Sequence, residues 1–191
     1  MSFQDKLLDS FIAFEQVIDL DNPVHTVRKN ALKRFESDGF PTKKDELWKY
    51  TSLKSIIQKD YSLSVKSNPN VGLKDIEKYS INDIDSYKIV FVDGVFNPFL
   101  SNTTHDGMDI CVLSAALSKT KYKKTITKYF NKIVPDDQSL ASLNTSYTKE
   151  GAYIHIPKSV LPEDPVQILH FSSGKNKPLW LQPRNIIIVE E

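Results

Sequence analysis

Cys111 is the one cysteine of the sequence, and its thiol could carry a persulfide or bind a metal. A single thiol makes no internal disulfide, and an iron–sulfur cluster usually takes about four protein ligands. Cys111 lies in an apolar run at residues 110–113, where a free cysteine is most often a small core residue. We therefore expect Cys111 to be structural.

Histidine is the second residue type that could hold a metal, and the four histidines are scattered along the chain. His155 and His170 lie in strand-like segments and could act as ligands on one face of a sheet. Without an evident cluster, such histidines are more often at the surface or hydrogen-bonded. We predict no metal ligand, no cofactor-binding residue and no catalytic residue in this chain.

Sequence motifs of common enzymes are absent. The six glycines are too far apart for a phosphate-binding loop. There is no paired-cysteine motif, no His-Glu-x-x-His and no nucleophile-elbow serine. We predict a protein that is not an enzyme.

A basic stretch, residues 114–134, contains six lysines and no acidic residue, with aromatic residues between them. Nucleic acid could bind such a face. The whole chain has a net charge of only +1, so a solvated helix face is the simpler interpretation. Trp48 and Tyr50 could stack on a ligand, but aromatics near a helix start more often pack into a core or domain junction.

Helices are predicted for the N-terminal part of the chain. Apolar residues recur every three or four positions from Phe3 to Ile18, which is typical of an amphipathic helix. A second helix begins at Asn22-Pro23 and ends before Gly39. We expect these two helices to cover each other's apolar stripes.

Further elements alternate along the rest of the chain. Tyr61 to Val65 is strand-like, residues 76–84 could form a short helix, and Asp93-Gly94 predicts a hairpin turn after a strand at 88–92. A strand at 110–113 precedes a helix that Ser114 is expected to cap and that runs to about Val134, with Leu117, Ile126, Phe130 and Ile133 inward. Asp136 or Asp137 is expected to cap the next helix. Strands follow at 152–156, 166–171 and 185–189.

The last strand, at 186–189, is apolar at every position, which is typical of a strand buried on both faces. Left unpaired it would be an exposed edge. This predicts that the sequence comes from a longer protein.

Several segments together resemble the SufD family of iron–sulfur cluster assembly proteins. They are residues 39–41 (Gly-Phe-Pro), 46–51 (Glu-Leu-Trp-Lys-Tyr-Thr), 90–96 (Val-Phe-Val-Asp-Gly-Val-Phe), 140–156, 165–168 (Pro-Val-Gln-Ile) and 183–186 (Pro-Arg-Asn-Ile). Their order and spacing make the resemblance specific, and it covers most of the chain.

The resemblance implies an α+β fold: an N-terminal helical and α+β region at 1–150, then the first coils of a right-handed parallel β-helix at 151–191. It implies a non-catalytic scaffold subunit of a SufBCD-type complex, with SufB-like and SufC-like partners and the Fe–S cluster only in the full complex. A homodimer is also compatible. A β-helix carbohydrate-active enzyme and a weak nucleic-acid-binding module stay open as alternatives.

The expected location is the cytoplasm. Charged residues throughout residues 1–20 leave no apolar segment of a signal peptide. No run approaches the roughly 18 apolar residues of a membrane span. We therefore expect neither membrane nor nucleic acid as a partner.

Overall fold

The computed structural model describes residues 1–63, 70–105, 107–135, 137–174 and 177–191. Within these ranges the fold is α+β, as predicted. The helices are α1 (Phe3–Glu15), α2 (Pro23–Asp38), α3 (Lys54–Ile57), α4 (Leu73–Glu77), α5 (Leu113–Ser118), α6 (Thr120–Tyr129) and α7 (Ser139–Ser146). The strands are β1 (Tyr87–Val92), β2 (Val95–Phe96), β3 (Asp109–Val112), β4 (Ala152–Ile156), β5 (Val166–Phe171) and β6 (Ile186–Val189).

The first two helices begin and end where local chemistry dictates. Ser2 and Asp5 form a capping box at the start of α1. The side chain of Asn22 accepts a hydrogen bond from the amide of Val24 at 3.1 Å, at the start of α2. Gly39, with a φ of 67°, ends α2 in a backbone conformation that side chains disfavour. The limits of α2 confirm the prediction, whereas α1 ends at Glu15, three residues before the end of the apolar pattern at Ile18.

The principal partner of α2 is α7, whereas its contact with α1 is small. Phe35 of α2, Leu143 of α7 and Leu7 of α1 are fully buried in one cluster. The expectation that α1 and α2 mainly cover each other is therefore wrong. Phe35 of α2 is buried against α7, which lies more than 100 residues further along the chain. Helical periodicity identifies the apolar face of α2 but does not reveal which element covers that face.

Two three-stranded sheets form the rest of the core, in the strand orders β2-β1-β5 and β3-β4-β6. Each contains one parallel pair: β1 with β5, in which Ile89 faces Ile168, and β4 with β6, in which Ile154 faces Ile187. Successive strands β4, β5 and β6 thus alternate between the sheets. The strands predicted at 88–92, 110–113, 152–156, 166–171 and 185–189 are confirmed to within a residue at each end, and so is the Asp93-Gly94 hairpin.

The two sheets bury an apolar layer that includes Ile89, Phe91, Ile110 and Ile154. This layer ends at the β5 and β6 edges. On β6, Ile188 is buried, but Ile187 is 58% exposed and Val189 is 66% exposed. The prediction that β6 is buried on both faces is wrong for the described residues, because they leave the face that bears Ile187 and Val189 largely uncovered.

The helix predicted for residues 114–134 is two helices, since the backbone of Lys119 is extended (φ −93°, ψ 126°). Leu117, Ile126 and Phe130 are buried as predicted, but Ile133 is 91% exposed because the helix ends at Tyr129. Ser114 does not cap α5 either: its hydroxyl donates to Glu150 at 3.1 Å.

Three smaller predictions have mixed outcomes. Asp137 does not cap α7, whose first turn has no side-chain cap, and Asp136 lies outside the described residues. Around residue 62 there is only a single parallel bridge, from Ser62 to Leu179, and the strand-like part at 64–65 also lies outside them. The helix predicted at 76–84 is the short α4, at Leu73–Glu77.

Candidate functional site

The helix-covered face of the β3-β4-β6 sheet brings together Cys111 and His155, two of the side chains that the sequence suggested for chemistry. Side chains alternate along strands, so Asp109 and Cys111 of β3 share a face with Tyr153 and His155 of β4. The register places Asp109 opposite His155 and Cys111 opposite Tyr153. Tyr122 of α6 packs over this face, with its ring centroid 4.9 Å from that of Tyr153.

Asp109 is the hub of a polar network on this face. One carboxylate oxygen accepts hydrogen bonds from Tyr122 Oη at 2.7 Å and from Lys121 Nζ at 2.8 Å. Partial burial raises the pKa of Asp109, but the hydrogen bonds from Lys121 and Tyr122 outweigh it, so the pKa is lowered overall. The carboxylate is therefore ionised and held by a cation.

His155 extends the network to the residue that follows β6. Its Nδ1 lies 3.6 Å from Oδ2 of Asp109, and its Nε2 lies 3.0 Å from Oε1 of Glu190. The hydrogen bond from His155 is the main reason that the pKa of Glu190 is lowered. The second oxygen of Glu190 accepts from the amide of Lys158 at 3.3 Å. The network thus joins three strands to one helix.

Cys111 is half-buried beside this network and packs against the apolar cluster under α5 and α6. Burial raises the pKa of its thiol, which leaves less thiolate at neutral pH. Burial likewise raises the pKa of Tyr153 to about 12, and the hydroxyl of Tyr153 has no hydrogen-bond partner among the described residues. In the described ranges, no three His, Cys, Asp or Glu side chains are grouped to hold a metal.

His170 lies in the other sheet, so the fold does not bring it together with His155. Its ring stacks on Phe91, with centroids 4.8 Å apart and an interplanar angle of 11°. Burial lowers the pKa of His170, opposed by a hydrogen bond with Asn185, so the neutral ring is favoured. His170 is nevertheless exposed to solvent, so it is a surface histidine whose ring stacks on Phe91.

The remaining histidines serve separate local contacts. His25 Nε2 lies 3.1 Å from Glu15 Oε1, where α1 ends and α2 begins. His105 packs edge-on against Tyr87, with centroids 4.8 Å apart. No two of the four histidines share a described site.

The aromatic pair Trp48 and Tyr50 is not in the core. Tyr50 is 89% exposed and Trp48 is half-buried, so the expectation that both pack inward is wrong for Tyr50. The cause is local: residues 42–60 contain no buried residue, so the segment has no core of its own to receive the ring.

The basic stretch is partly neutralised by the fold. Lys121 is bound to Asp109, and Lys123 Nζ lies 3.6 Å from Asp19 Oδ2. The Lys128 ammonium lies 4.7 Å from the ring centroid of Tyr129. The face is therefore a mixture of paired and solvated lysines.

A cleft of about 640 Å³ opens between α1, the β1–β2 turn and residues 180–183. Apolar side chains such as Phe14 and Leu181 line most of it, and Glu150 lies at one side. Burial raises the pKa of Glu150, and the Ser114 hydrogen bond partly opposes this. The sequence could not predict this cleft, since its walls come from segments far apart in the chain.

The sequence analysis also did not predict the Asp109 network. The one indication was the alternation along β3, which places Asp109 and Cys111 on the same face of the strand.

Among the described residues, no helix combines the length and the apolar composition that a membrane span requires.

Comparison with known proteins identifies the family. The model of a family described as the SufBD protein N-terminal region matches residues 1–168. Two proteins of Synechocystis sp. (strain ATCC 27184 / PCC 6803 / Kazusa), both named iron-sulfur cluster assembly SufBD family proteins, are similar. The protein slr0076 is 24% identical over 85% of this chain and 36% of its own length. The protein slr0074 is 29% identical over 53% of this chain and 22% of its own length.

The chain thus spans about a third or less of these relatives' lengths. Because the family model covers far more than half of the residues, the chain belongs to the SufBD family and corresponds to its N-terminal region.

Proposed function

We propose that this chain is the N-terminal part of a SufD-like, non-catalytic scaffold subunit of a SufBCD-type iron–sulfur cluster assembly complex. The observation that carries the proposal is the family match over residues 1–168. The names of the Synechocystis relatives, which mention iron-sulfur cluster assembly, support the process. The choice of SufD within the family rests on the order of the motifs at 39–51 and 90–96.

The strand arrangement supports a β-helix as the continuation of this fold. Strands β4, β5 and β6 alternate between two sheets, and each sheet has a parallel pair, β1–β5 or β4–β6. Stacked parallel pairs are how a coil of a β-helix places its strands. We propose that the β-helix begins near residue 151. However, β4 and β5 pair with β3 and β1, so any such domain shares its first sheets with the N-terminal region.

The scaffold would work through partners. SufB-like and SufC-like proteins are the proposed partners in the complete assembly, and an iron–sulfur cluster would be held there and not by this region. The raised pKa of Cys111 supports this division, because a thiol that stays protonated is a poor ligand for iron. A cytoplasmic location is part of the proposal. No contact or distance in the described residues favours carbohydrate cleavage or nucleic-acid binding.

Co-purification tests the proposal. The complete protein is expressed with its SufB-like and SufC-like counterparts and purified by a tag on this subunit. We expect both counterparts to be retained and the complex to accept iron and sulfide, seen as visible absorption of a cluster. Retention of neither counterpart would overturn the proposal.

Matched variants sharpen this test. Ile187 on β6 is 58% exposed and Ile12 on α1 is 67% exposed. If β6 is covered by a following coil, Ile187→Lys should reduce yield of the folded complex, because a charge would be buried there. Ile12→Lys should leave the yield unchanged. Equal yields for both variants would argue against the β-helix continuation.

A further inference from the structure

A groove of about 410 Å³ lies between the end of α6 and strand β6. Residues 129–134 form one wall and residues 184–189 form the other. Grooves and clefts that bind small organic molecules usually have volumes of roughly 300–1,000 Å³. Neither wall contains an acidic residue, whereas Lys132 and Arg184 bring one positive charge to each. The charge of the groove therefore favours an anion.

Arg184 is half-buried without an anionic partner in the described part of the chain. Its Nη1 donates to Oδ1 of Asn144 at 2.9 Å and its Nη2 to Oδ1 of Asn131 at 3.4 Å, and both acceptors are neutral amides. Its Cζ lies 5.8 Å from the ring centroid of Phe130. Burial lowers the pKa of Arg184, and no carboxylate among the described residues counteracts this. A guanidinium that is partly withdrawn from water and lacks a counter-ion gains from binding an oxyanion.

Donor groups remain available for such an anion. A guanidinium carries more N–H groups than these two amides engage, and no described residue accepts from Nε of Arg184. This Nε is not among the described polar atoms that are both buried and unpartnered, so solvent reaches it. On the opposite wall, Lys132 is exposed and forms no ion pair within the described ranges. Both cations are thus open to a ligand in the groove.

The turn after α6 shapes the first wall. Asn131 has a φ of 55°, a left-handed conformation that asparagine adopts more readily than most residues and that commonly follows the last turn of a helix. Its Oδ1 also accepts from Oγ1 of Thr145 at 2.9 Å, which holds the turn against α7. Beyond the turn, Ile133 is 91% exposed. The wall therefore offers an aliphatic surface next to the Lys132 ammonium.

Aliphatic side chains continue this surface on β6. Side chains alternate along a strand, so Ile186 and Ile188 share the face that Tyr153 and His155 occupy on β4. Ile188 is buried in the same cluster as Phe130, and Ile186 packs against that cluster. The groove therefore combines two positive charges with an aliphatic lining.

We propose that this groove binds an amphipathic organic anion, with a carboxylate that pairs with Arg184 and Lys132 and an aliphatic chain that covers Ile133. A carboxylate accepts two parallel hydrogen bonds from a guanidinium. The chain removes exposed aliphatic surface from water, which an inorganic anion does not do. A neutral alcohol of the same length has the chain without the charge. This inference concerns a ligand of this chain and does not depend on the proposed assembly role.

Isothermal titration calorimetry on the complete protein tests the proposal with octanoate, octanol and phosphate as probes. We expect octanoate to bind at least about tenfold more tightly than the other two, because only octanoate supplies both the charge and the chain. Sedimentation with phosphatidylglycerol vesicles distinguishes a dissolved anion from an anionic membrane surface, and we expect no protein to sediment with them. No binding of octanoate, equal affinities for octanoate and octanol, or binding to vesicles in place of octanoate would overturn the proposal.

Substitutions locate the site. Lys132→Gln and Ile133→Asp change exposed side chains of the groove, and Lys124→Gln is a matched control on an exposed part of α6 outside it. We expect Ile133→Asp to weaken octanoate binding at least about tenfold, Lys132→Gln to weaken it about threefold, and Lys124→Gln to leave it unchanged. Arg184→Gln should abolish binding. Circular dichroism shows whether loss of its hydrogen bond to Asn144 unfolds that variant, in which case the exposed variants decide. Wild-type affinity in either Lys132→Gln or Ile133→Asp would overturn the proposal.

Discussion

Nε2 of His155 lies 3.0 Å from Oε1 of Glu190, so a side chain of β4 holds the residue that follows β6. The other oxygen of Glu190 accepts from the amide of Lys158, just beyond β4. Glu190 therefore fastens the end of β6 to its parallel neighbour from two sides. In a sheet where β6 has no second neighbour among the described strands, this fastening opposes fraying of the edge.

Removing the charge of Glu190 should reduce stability in a pH-dependent way. The pKa of Glu190 is lowered in the folded protein, so its charge stabilises the fold above the ordinary carboxyl range. That stabilisation is lost as the pH falls through the lowered pKa. Glu190→Gln should thus lower the melting temperature near neutral pH and have little effect at about pH 2.

Glu191→Gln is the matched control, since Glu191 is also exposed and its carboxylate forms no hydrogen bond or ion pair with the described residues. Thermal unfolding followed by circular dichroism measures both variants. An equal effect of the two substitutions, or an effect of Glu190→Gln that is the same at both pH values, would contradict the role given to Glu190.

Gly151 should be intolerant of any side chain. A Cβ atom at this position would overlap the backbone carbonyl group of Arg184, which cannot move without disturbing the entry to β6. The amide of Arg184 donates to the carbonyl oxygen of Glu150 at 3.0 Å, which keeps the two chain segments close. We expect Gly151→Ala to lower the free energy of unfolding by about 3 kcal/mol.

The control is Gly72→Ala, because the nearest atom to an added Cβ there is 4.0 Å away. Chemical denaturation measures both free energies. A Gly151→Ala protein as stable as the Gly72→Ala protein would show that the approach of Arg184 is not needed for folding.

The sequence predicted those elements whose signals are local. Asn22-Pro23 and Gly39 mark the ends of α2 through capping and a positive φ, which depend on neighbouring residues alone. Asp93 and Gly94 both have positive φ, as the hairpin turn predicted from their types requires. The strand limits at β4, β5 and β6 follow from short apolar runs between prolines and polar loops.

Predictions that needed non-local information failed. No proline or glycine marks the break between α5 and α6 at Lys119. The prediction that Ile133 lies inward failed as well, because it assumed a helix that continues past Tyr129. The partner of α2 depends on α7, and the exposure of Ile187 depends on what covers that face of β6. The Asp109 network combines the pairing of β3 with β4, the helix α6 and Glu190. These parts are far apart in sequence, so no short stretch of the chain could predict the network.

Phe35 and Leu143 should be energetically coupled, because α2 packs chiefly on α7. Both side chains are fully buried in one cluster. We expect Phe35→Ala to cost about 3–5 kcal/mol and Leu143→Ala about 2–5 kcal/mol. Residues in contact share part of that cost, so the double variant should lose less than the sum, by about 0.5–3 kcal/mol.

A pair on different surfaces gives the comparison: Phe35→Ala with Ile56→Ala, since Ile56 lies in α3 and is 41% exposed. Their effects on the free energy of unfolding should add. If the losses in the free energy of unfolding were also additive for Phe35→Ala and Leu143→Ala, the two side chains would not share the buried cluster between α2 and α7.

Cys111 should react slowly with alkylating reagents. Burial raises the pKa of its thiol, and only the thiolate attacks such reagents. The reference is a protein with Cys111→Ala and Ser118→Cys, since Ser118 is exposed at the end of α5. We expect iodoacetamide to modify the wild type about tenfold more slowly than this reference, with a rate that rises at higher pH. In denaturant the two rates should become equal, because the difference comes from the fold. A wild-type thiol that reacts faster than the reference would instead identify Cys111 as an activated nucleophile and reopen a direct chemical role for the face it shares with Asp109 and His155.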